Sequence, residues 1–96
     1  MLKSRKFLIL TQNGADMKIY DYNGKKNICG IRIKEARQKL GLTQADLAAQ
    51  MQVNGIIIEY DSISRIEKGT RFVPDYEIGV FAKVLKVDVM WLLRLN

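Results

Sequence analysis

The side chains of this chain that can do chemistry are fixed charges and hydrogen-bonding groups rather than nucleophiles. There is no histidine and one cysteine, Cys29, so the usual zinc-ligand and nucleophile–base sets cannot be assembled. No metal, cofactor or catalytic residue is expected. A lone cysteine also excludes an internal disulfide and fits a reducing, cytoplasmic setting. The polar groups concentrate instead in residues 59–71, EYDSISRIEKGTR. There Ile63 and Ile66 take the inward positions of a helix, leaving Tyr60, Asp61, Ser64, Arg65 and Lys68 to face outward. Such a face can donate to and accept from another surface, but it holds no group that breaks a bond.

Charge points to the kind of surface. A net charge of +6 and a pI near 9.6 favour a polyanion, because lysine and arginine beside phosphates release condensed counterions. The excess is unevenly spread: residues 1–30 carry six cations against two carboxylates, a net +4, leaving +2 for the rest. A solubilising basic tail accounts for that distribution as well as a nucleic-acid partner does. The 96 residues, 48% hydrophobic and 27% charged, suit one globular domain near the small end of what a single core stabilises. The run FLIL at residues 7–10 follows Lys3, Arg5 and Lys6, yet four apolar residues are too few for an export-signal core or a membrane span.

The elements that must position the polar face follow from spacing. Ile33, Ala36, Arg37 and Leu40 share one face by three-and-four spacing, which predicts a helix from near Asn27 or Ile28 to Leu40, stopped by Gly41. Thr43, with Asp46 three residues later, opens a second helix through a weaker form of the capping box. That helix runs to about Met51 or Val53 and buries Leu47, Ala48 and Met51, the alanine small enough for close helix crossing. Asn54-Gly55 is a strong stop. Ile56, Ile57 and Ile58 are too short a run for a helix and read as an extended connector plugged into the core edge. A third helix spans Glu59 or Tyr60 to Lys68 and closes at Gly69. Pro74 opens a fourth, with Tyr76, Val80, Phe81, Val84 and Leu85 as its apolar stripe. Asp88 caps a short fifth, where Trp91 and Leu92 seal the base of the bundle.

Two strings, LTQADLA at residues 42–48 and SISRIEKG at 62–69, read as the short helices of a helix-turn-helix. In that motif the first helix braces against the phosphate backbone and the second, the recognition helix, enters the major groove. Over roughly residues 28–93, IKEARQKLGLTQADLAAQM, SISRIEKG and FAKVLKVDVMWLL resemble, in order, the Cro and phage-repressor helix-turn-helix family, also called the XRE family. The resemblance implies an all-α, compact five-helix domain of the lambda-repressor-like class. It also implies binding to double-stranded operator DNA, usually as a symmetric homodimer, and repression or other regulation of transcription.

Roles come with the resemblance, position by position. Thr43 and Gln44 open helix two at the DNA, where Gln44 touches a phosphate and buttresses the recognition helix; otherwise Gln44 is an ordinary exposed residue. Tyr60, Asp61, Ser62, Ser64 and Arg65 match positions that approach bases or backbone. Arg65 is the foremost of them, because a guanidinium can bind guanine O6 and N7 bidentately, worth about 1–3 kcal/mol of discrimination. Its competing role is an ion pair with Asp61 one turn earlier, worth a few tenths of a kcal/mol, roughly. Asp61, repelled by phosphates, either accepts from cytosine N4 or orients Arg65, and the second is favoured. Tyr60 either meets a sugar or thymine methyl or covers the isoleucine connector. Thr70 and Arg71 match a loop that contacts phosphates, with Lys68 assisting it; the alternative for Lys68 and Arg71 is simple surface solvation. Arg37 and Glu67 match an ion pair that links helix one to the end of the recognition helix.

Two stretches depart from the pattern. The turn of a helix-turn-helix is three or four residues, often with glycine, whereas here Gln52 stands at the glycine position and the segment continues to Ile58. Either helix two lengthens and the connector loops outward with the helix crossing kept, or the recognition helix is re-aimed. The retained spacing of Ile63 and Ile66 favours the first, and doubling a loop costs only about 0.6 kcal/mol. Residues 1–26 read as an arm outside the domain at 27–96. Strand-like runs at 6–11 and 17–22 around Asn13-Gly14 allow a β-hairpin, against a basic arm along DNA or a disordered tail. The apolar end of helix five, residues 91–95, is a candidate dimer surface. A protein-interaction module of the same fold, such as an antitoxin or antirepressor-like partner, is the alternative function, with RNA binding third.

Overall fold

Stops and caps read from the sequence mark both ends of α2 and α3 and the starts of α4 and α5. The computed structural model describes residues 22–96. Among them are five helices and no strand: α1 (Gly30–Lys39), α2 (Gln44–Val53), α3 (Tyr60–Lys68), α4 (Asp75–Leu85) and α5 (Val89–Leu92). The fold is therefore all-α, as expected. Thr43 Oγ1 accepts from the Asp46 amide at 3.0 Å while Asp46 Oδ2 accepts from the Thr43 amide at 2.9 Å, so the capping box at α2 is complete. Asp88 caps α5 by accepting from the Met90 amide at 3.0 Å. At the far end of α3, Gly69 adopts a left-handed conformation, which lets the Thr70 amide reach back to the Arg65 carbonyl at 2.9 Å.

Every helix gives at least one side chain to a single core. Ile33 of α1, Leu47 and Met51 of α2, Ile63 and Ile66 of α3, Phe81 of α4 and Leu92 of α5 are wholly inaccessible to solvent. α3 lies against α1 and α2, and α4 packs on α1, α2 and α5. Cys29, also buried, sits at the N-cap of α1, where burial pushes its thiol up to about 11 with the charge of Glu77 adding to the shift. It stays a thiol at neutral pH, and so a poor nucleophile.

Several expectations need correction. α1 begins at Gly30 rather than at Asn27 or Ile28, because the Asn27 side chain takes the Gly30 amide and the Ile66 and Arg71 carbonyls and holds the preceding backbone out of the helix. Leu40, placed on the buried face, is 41% exposed, since it caps the helix and no longer follows its periodicity. Tyr76 is 66% exposed. The stripe of α4 runs instead through Glu77, Phe81, Val84 and Leu85, so the glutamate takes the buried position one residue along. Leu92 seals the base, whereas Trp91 is only half-buried. Arg32 covers the indole, its guanidinium 4.8 Å from the ring centroid, and donates to the Trp91 carbonyl at 2.6 Å.

The connector, residues 54–59, alternates as an extended segment does: Ile56 is half-buried against the core, Ile57 is 87% exposed and Ile58 is buried. The expected hairpin around Asn13-Gly14 lies outside the described residues. Within the described residues a tight turn occupies residues 22–25, with Tyr22 and Lys25 exchanging backbone hydrogen bonds at 2.9 Å in both directions. Asn23 and Gly24, at φ of 52° and 80°, fit the two-residue turn with both central residues left-handed.

Candidate nucleic-acid interface

α3 combines a buried side that fixes it and an exposed side that carries polar chemistry. Tyr60, Ser64 and Lys68 recur at four-residue spacing and Asp61 and Arg65 form the adjoining row, so all five lie on contiguous helix surface. Tyr60, Asp61, Arg65 and Lys68 are exposed, and Ser62 and Ser64 are half-buried. Arg65 does not pair with Asp61 as favoured from the sequence: its Nη2 donates to Ser62 Oγ at 3.1 Å. Ser62, three residues before Arg65, is within reach of the guanidinium on the same face. An exposed ion pair, by contrast, gains little in water. Asp61 and Tyr60 thus project without a described side-chain hydrogen bond.

The end of α3 is held by a charged cluster. Glu67 accepts from Arg37 Nε at 2.7 Å, from Arg37 Nη2 at 3.1 Å and from Gln44 Nε2 at 3.1 Å. The Arg37 and Glu67 side chains are 10% and 3% exposed, so the expected pair is a buried, bidentate one. Arg37 Nη1 also donates to the Leu42 carbonyl at 2.8 Å, tying the α1–α2 turn into the same cluster. Gln44 therefore buttresses α3 directly, while Thr43 spends its hydroxyl on the cap of α2.

A second set of ties was not read from the sequence. Asn27 Nδ2 donates to the Ile66 carbonyl at 3.0 Å and to the Arg71 carbonyl at 2.8 Å, and its Oδ1 accepts from the Gly30 amide at 2.8 Å. One amide thereby joins the start of α1, the end of α3 and the loop after it. Gly30 permits this approach, because a Cβ there would stand 2.1 Å from the Ile66 carbonyl oxygen. No local pattern marks the ties of Asn27 to Ile66 and Arg71, which lie 39 and 44 residues away in sequence.

Arg71, matched to a phosphate position, has its guanidinium against Glu77, Nη1 to Oε1 at 2.9 Å and Nη2 to Oε2 at 3.3 Å. That pair explains why α4 can bury Glu77. Thr70 is exposed and its hydroxyl donates to the Arg65 carbonyl at 3.3 Å. Gln52, at the position where glycine was expected, donates from Nε2 to the Ile58 carbonyl at 2.8 Å and so spans the longer connector. With Ile63 and Ile66 fully buried and Glu67 clamped, the added residues do not detach α3 from α1 and α2. α3 thus stays packed on α1 and α2 across the longer connector.

Residues 33–92 match the helix-turn-helix family model, which is more than half of the chain. The chain belongs to the Cro and phage-repressor, or XRE, helix-turn-helix family. Comparison with curated proteins and with solved structures yields no match. The family assignment makes this a DNA-binding helix-turn-helix regulator domain, with α2 and α3 as the two helices of the motif. Among the described residues no helix is long and apolar enough to cross a membrane, and no group of acidic or cysteine side chains is placed to hold a metal ion.

Proposed function

We propose that this XRE-family domain represses transcription by binding, as a homodimer, a palindromic or near-palindromic double-stranded operator. The observation that carries the reading is the division of α3: its Glu67 end is locked to α1 and α2, and its Tyr60–Arg65 side is exposed. In this reading Arg65 reads a guanine, Asp61 and Tyr60 flank it, and Ser62 and Ser64 complete the contact, with Ser62 pre-orienting the guanidinium. Thr43, Gln44, Lys68 and Thr70 lie beside the backbone, and Arg71 supports the loop through Glu77. Half-sites would lie about one helical turn, roughly 34 Å, apart. The exposed apolar groups of the C-terminal end, Met90 and Leu95, support its use as the dimer surface.

The test is binding to random-sequence duplex at several salt concentrations, with sedimentation to count protomers. A salt-sensitive background plus one short two-fold symmetric site, bound by two protomers, is expected. Selection of no sequence would favour the second reading, a protein-interaction module. What supports that alternative is apolar exposure beside the recognition helix: Val53 and Ile57 are 86% and 87% exposed.

A further inference from the structure

A groove of about 400 Å³, to which α3 contributes no residue, lies between α1, the end of α4 and α5. Its walls are apolar: Ala36 and Leu85 belong to the buried core, Val87 and Trp91 are half-buried, and Leu40 is exposed. Arg32 does not line the groove but fixes Trp91 through the ring contact and the carbonyl hydrogen bond described above, so this wall is formed before any ligand arrives. Glu35, Lys39 and Lys86 complete the lining, two cations against one carboxylate. All three are exposed, and none forms an ion pair with another described residue. Glu35 stands one turn from Lys39 without pairing with it, and Asp88, two residues after Lys86, accepts from the Met90 amide.

The backbone at Lys86 sets this groove apart. α1, α2 and α3 each end on a left-handed glycine, Gly41, Gly55 and Gly69, whereas α4 ends on Lys86 at φ 61°, a conformation in which glycine costs less. A cation near the last carbonyls of α4 opposes the helix dipole, but Lys83 in the last turn already does so. What Lys86 adds over glycine is an ammonium at the edge of the groove. Size then decides the kind of occupant. Eight residues line the groove, whereas a stable protein interface engages roughly 20–30 on each side. The volume falls instead in the range of about 300–1,000 Å³ typical of small-molecule sites, which pair apolar walls with a few polar groups that fix orientation. Here those groups carry a net positive charge, so the complementary ligand is an acid with an apolar body.

We propose that the groove between α1, α4 and α5 binds a small apolar monocarboxylate, aromatic or medium-chain aliphatic, whose body lies against Trp91 and Val87 and whose carboxylate meets Lys39 and Lys86. The site is separate from the exposed side of α3 and does not depend on the DNA-binding reading.

Trp91 is the one tryptophan of the chain, so its fluorescence reports on the groove directly. The full chain is titrated at neutral pH with 3-phenylpropanoate, with octanoate and with the neutral 3-phenylpropanol, and sedimentation is run in parallel. The two acids should shift Trp91 emission saturably, and the alcohol should bind about tenfold more weakly than its acid. Lys39→Gln and Lys86→Gln should each weaken the acids about two- to fivefold, the range of an exposed charge pair, and together remove the preference for acid over alcohol. Lys86→Gly, which keeps the left-handed turn, should weaken them as Lys86→Gln does. Lys83→Gln, an exposed lysine of α4 outside the groove, should change nothing. No saturable response to either acid at millimolar concentration overturns the proposal, as does equal affinity for acid and alcohol or an equal loss in Lys83→Gln. A sedimenting dimer whose Trp91 emission is that of a buried indole and does not respond to the acids assigns the groove to a second copy of the chain and overturns it too.

Discussion

The two ends of α3 are built on opposite principles. At its C-terminal end, Ile66 and Glu67 are buried and their neighbours Arg37, Gln44 and Asn27 supply five hydrogen bonds from side chains or to them. Four of these are donated into α3, and the fifth sets Asn27 through the Gly30 amide. At the N-terminal end, Glu59 offers no side-chain cap and Tyr60 and Asp61 stand in solvent, and along the exposed side that continues from them to Arg65, in the last turn, the guanidinium is tied among the described residues to Ser62 alone. Precision comes from the first end and chemistry from the second. A short helix of nine residues is marginal alone in water, so its direction must come from outside itself. Anchoring one end and the buried side leaves the other end able to exchange water for bases without disturbing the core.

That contrast can be broken most severely at Glu67. Glu67→Ala strands the buried Arg37 guanidinium and should cost about 3–5 kcal/mol in unfolding free energy, read by denaturant titration. Glu67→Gln, which keeps some of the hydrogen bonds, should lose less. Gly30→Ala comes next: the added methyl meets the Ile66 carbonyl, and the shift needed to admit it should cost about 1–3 kcal/mol or more by the same titration. Arg65→Ala sharpens the comparison from the other side. It should leave stability within about 0.5 kcal/mol and remove about 1–3 kcal/mol of discrimination at one base position, measured against single-base operator variants. Thr43→Ala removes half of the α2 capping box and should destabilise by about 1 kcal/mol.

The smallest effect lies at Asp46. Its hydrogen bond from the Thr43 amide, and then that with the Thr43 hydroxyl, hold its carboxyl below the ordinary carboxylate value. Stability from this cap is fully present above the unfolded-state pKa and is lost as pH falls through the lower folded-state value. Asp46→Asn should flatten that acid limb of a pH-dependent melting series and leave the profile near neutrality unaltered.

Legibility in the sequence tracks how local each interaction is. The Thr43–Asp46 capping box and the buried spacing of Ile63 and Ile66 involve residues three apart, so they were visible before any fold was known. The Arg37–Glu67 pair came with the family resemblance, and its burial could be learned only from the packed structure. Asn27, Gly30 and the Arg71–Glu77 pair left no local signal that set their roles. Tyr76 misled because an apolar stripe counted from a tyrosine fits the period as well as one counted from a buried glutamate. The Asn23-Gly24 turn did carry a signal, the strongest two-residue hairpin dipeptide, although no apolar alternation follows it.

The central claim is that the exposed side of α3 reads bases while its buried end only aims it. Selection of bound duplex from a random pool, run in parallel with the unmodified chain and Arg65→Ala, tests it directly. The account predicts one short two-fold symmetric site for the unmodified chain, and for Arg65→Ala the same site with preference lost at a single position in each half. Enrichment of no site, or an Arg65→Ala protein that binds every sequence proportionally more weakly with its preferences unchanged, would contradict it.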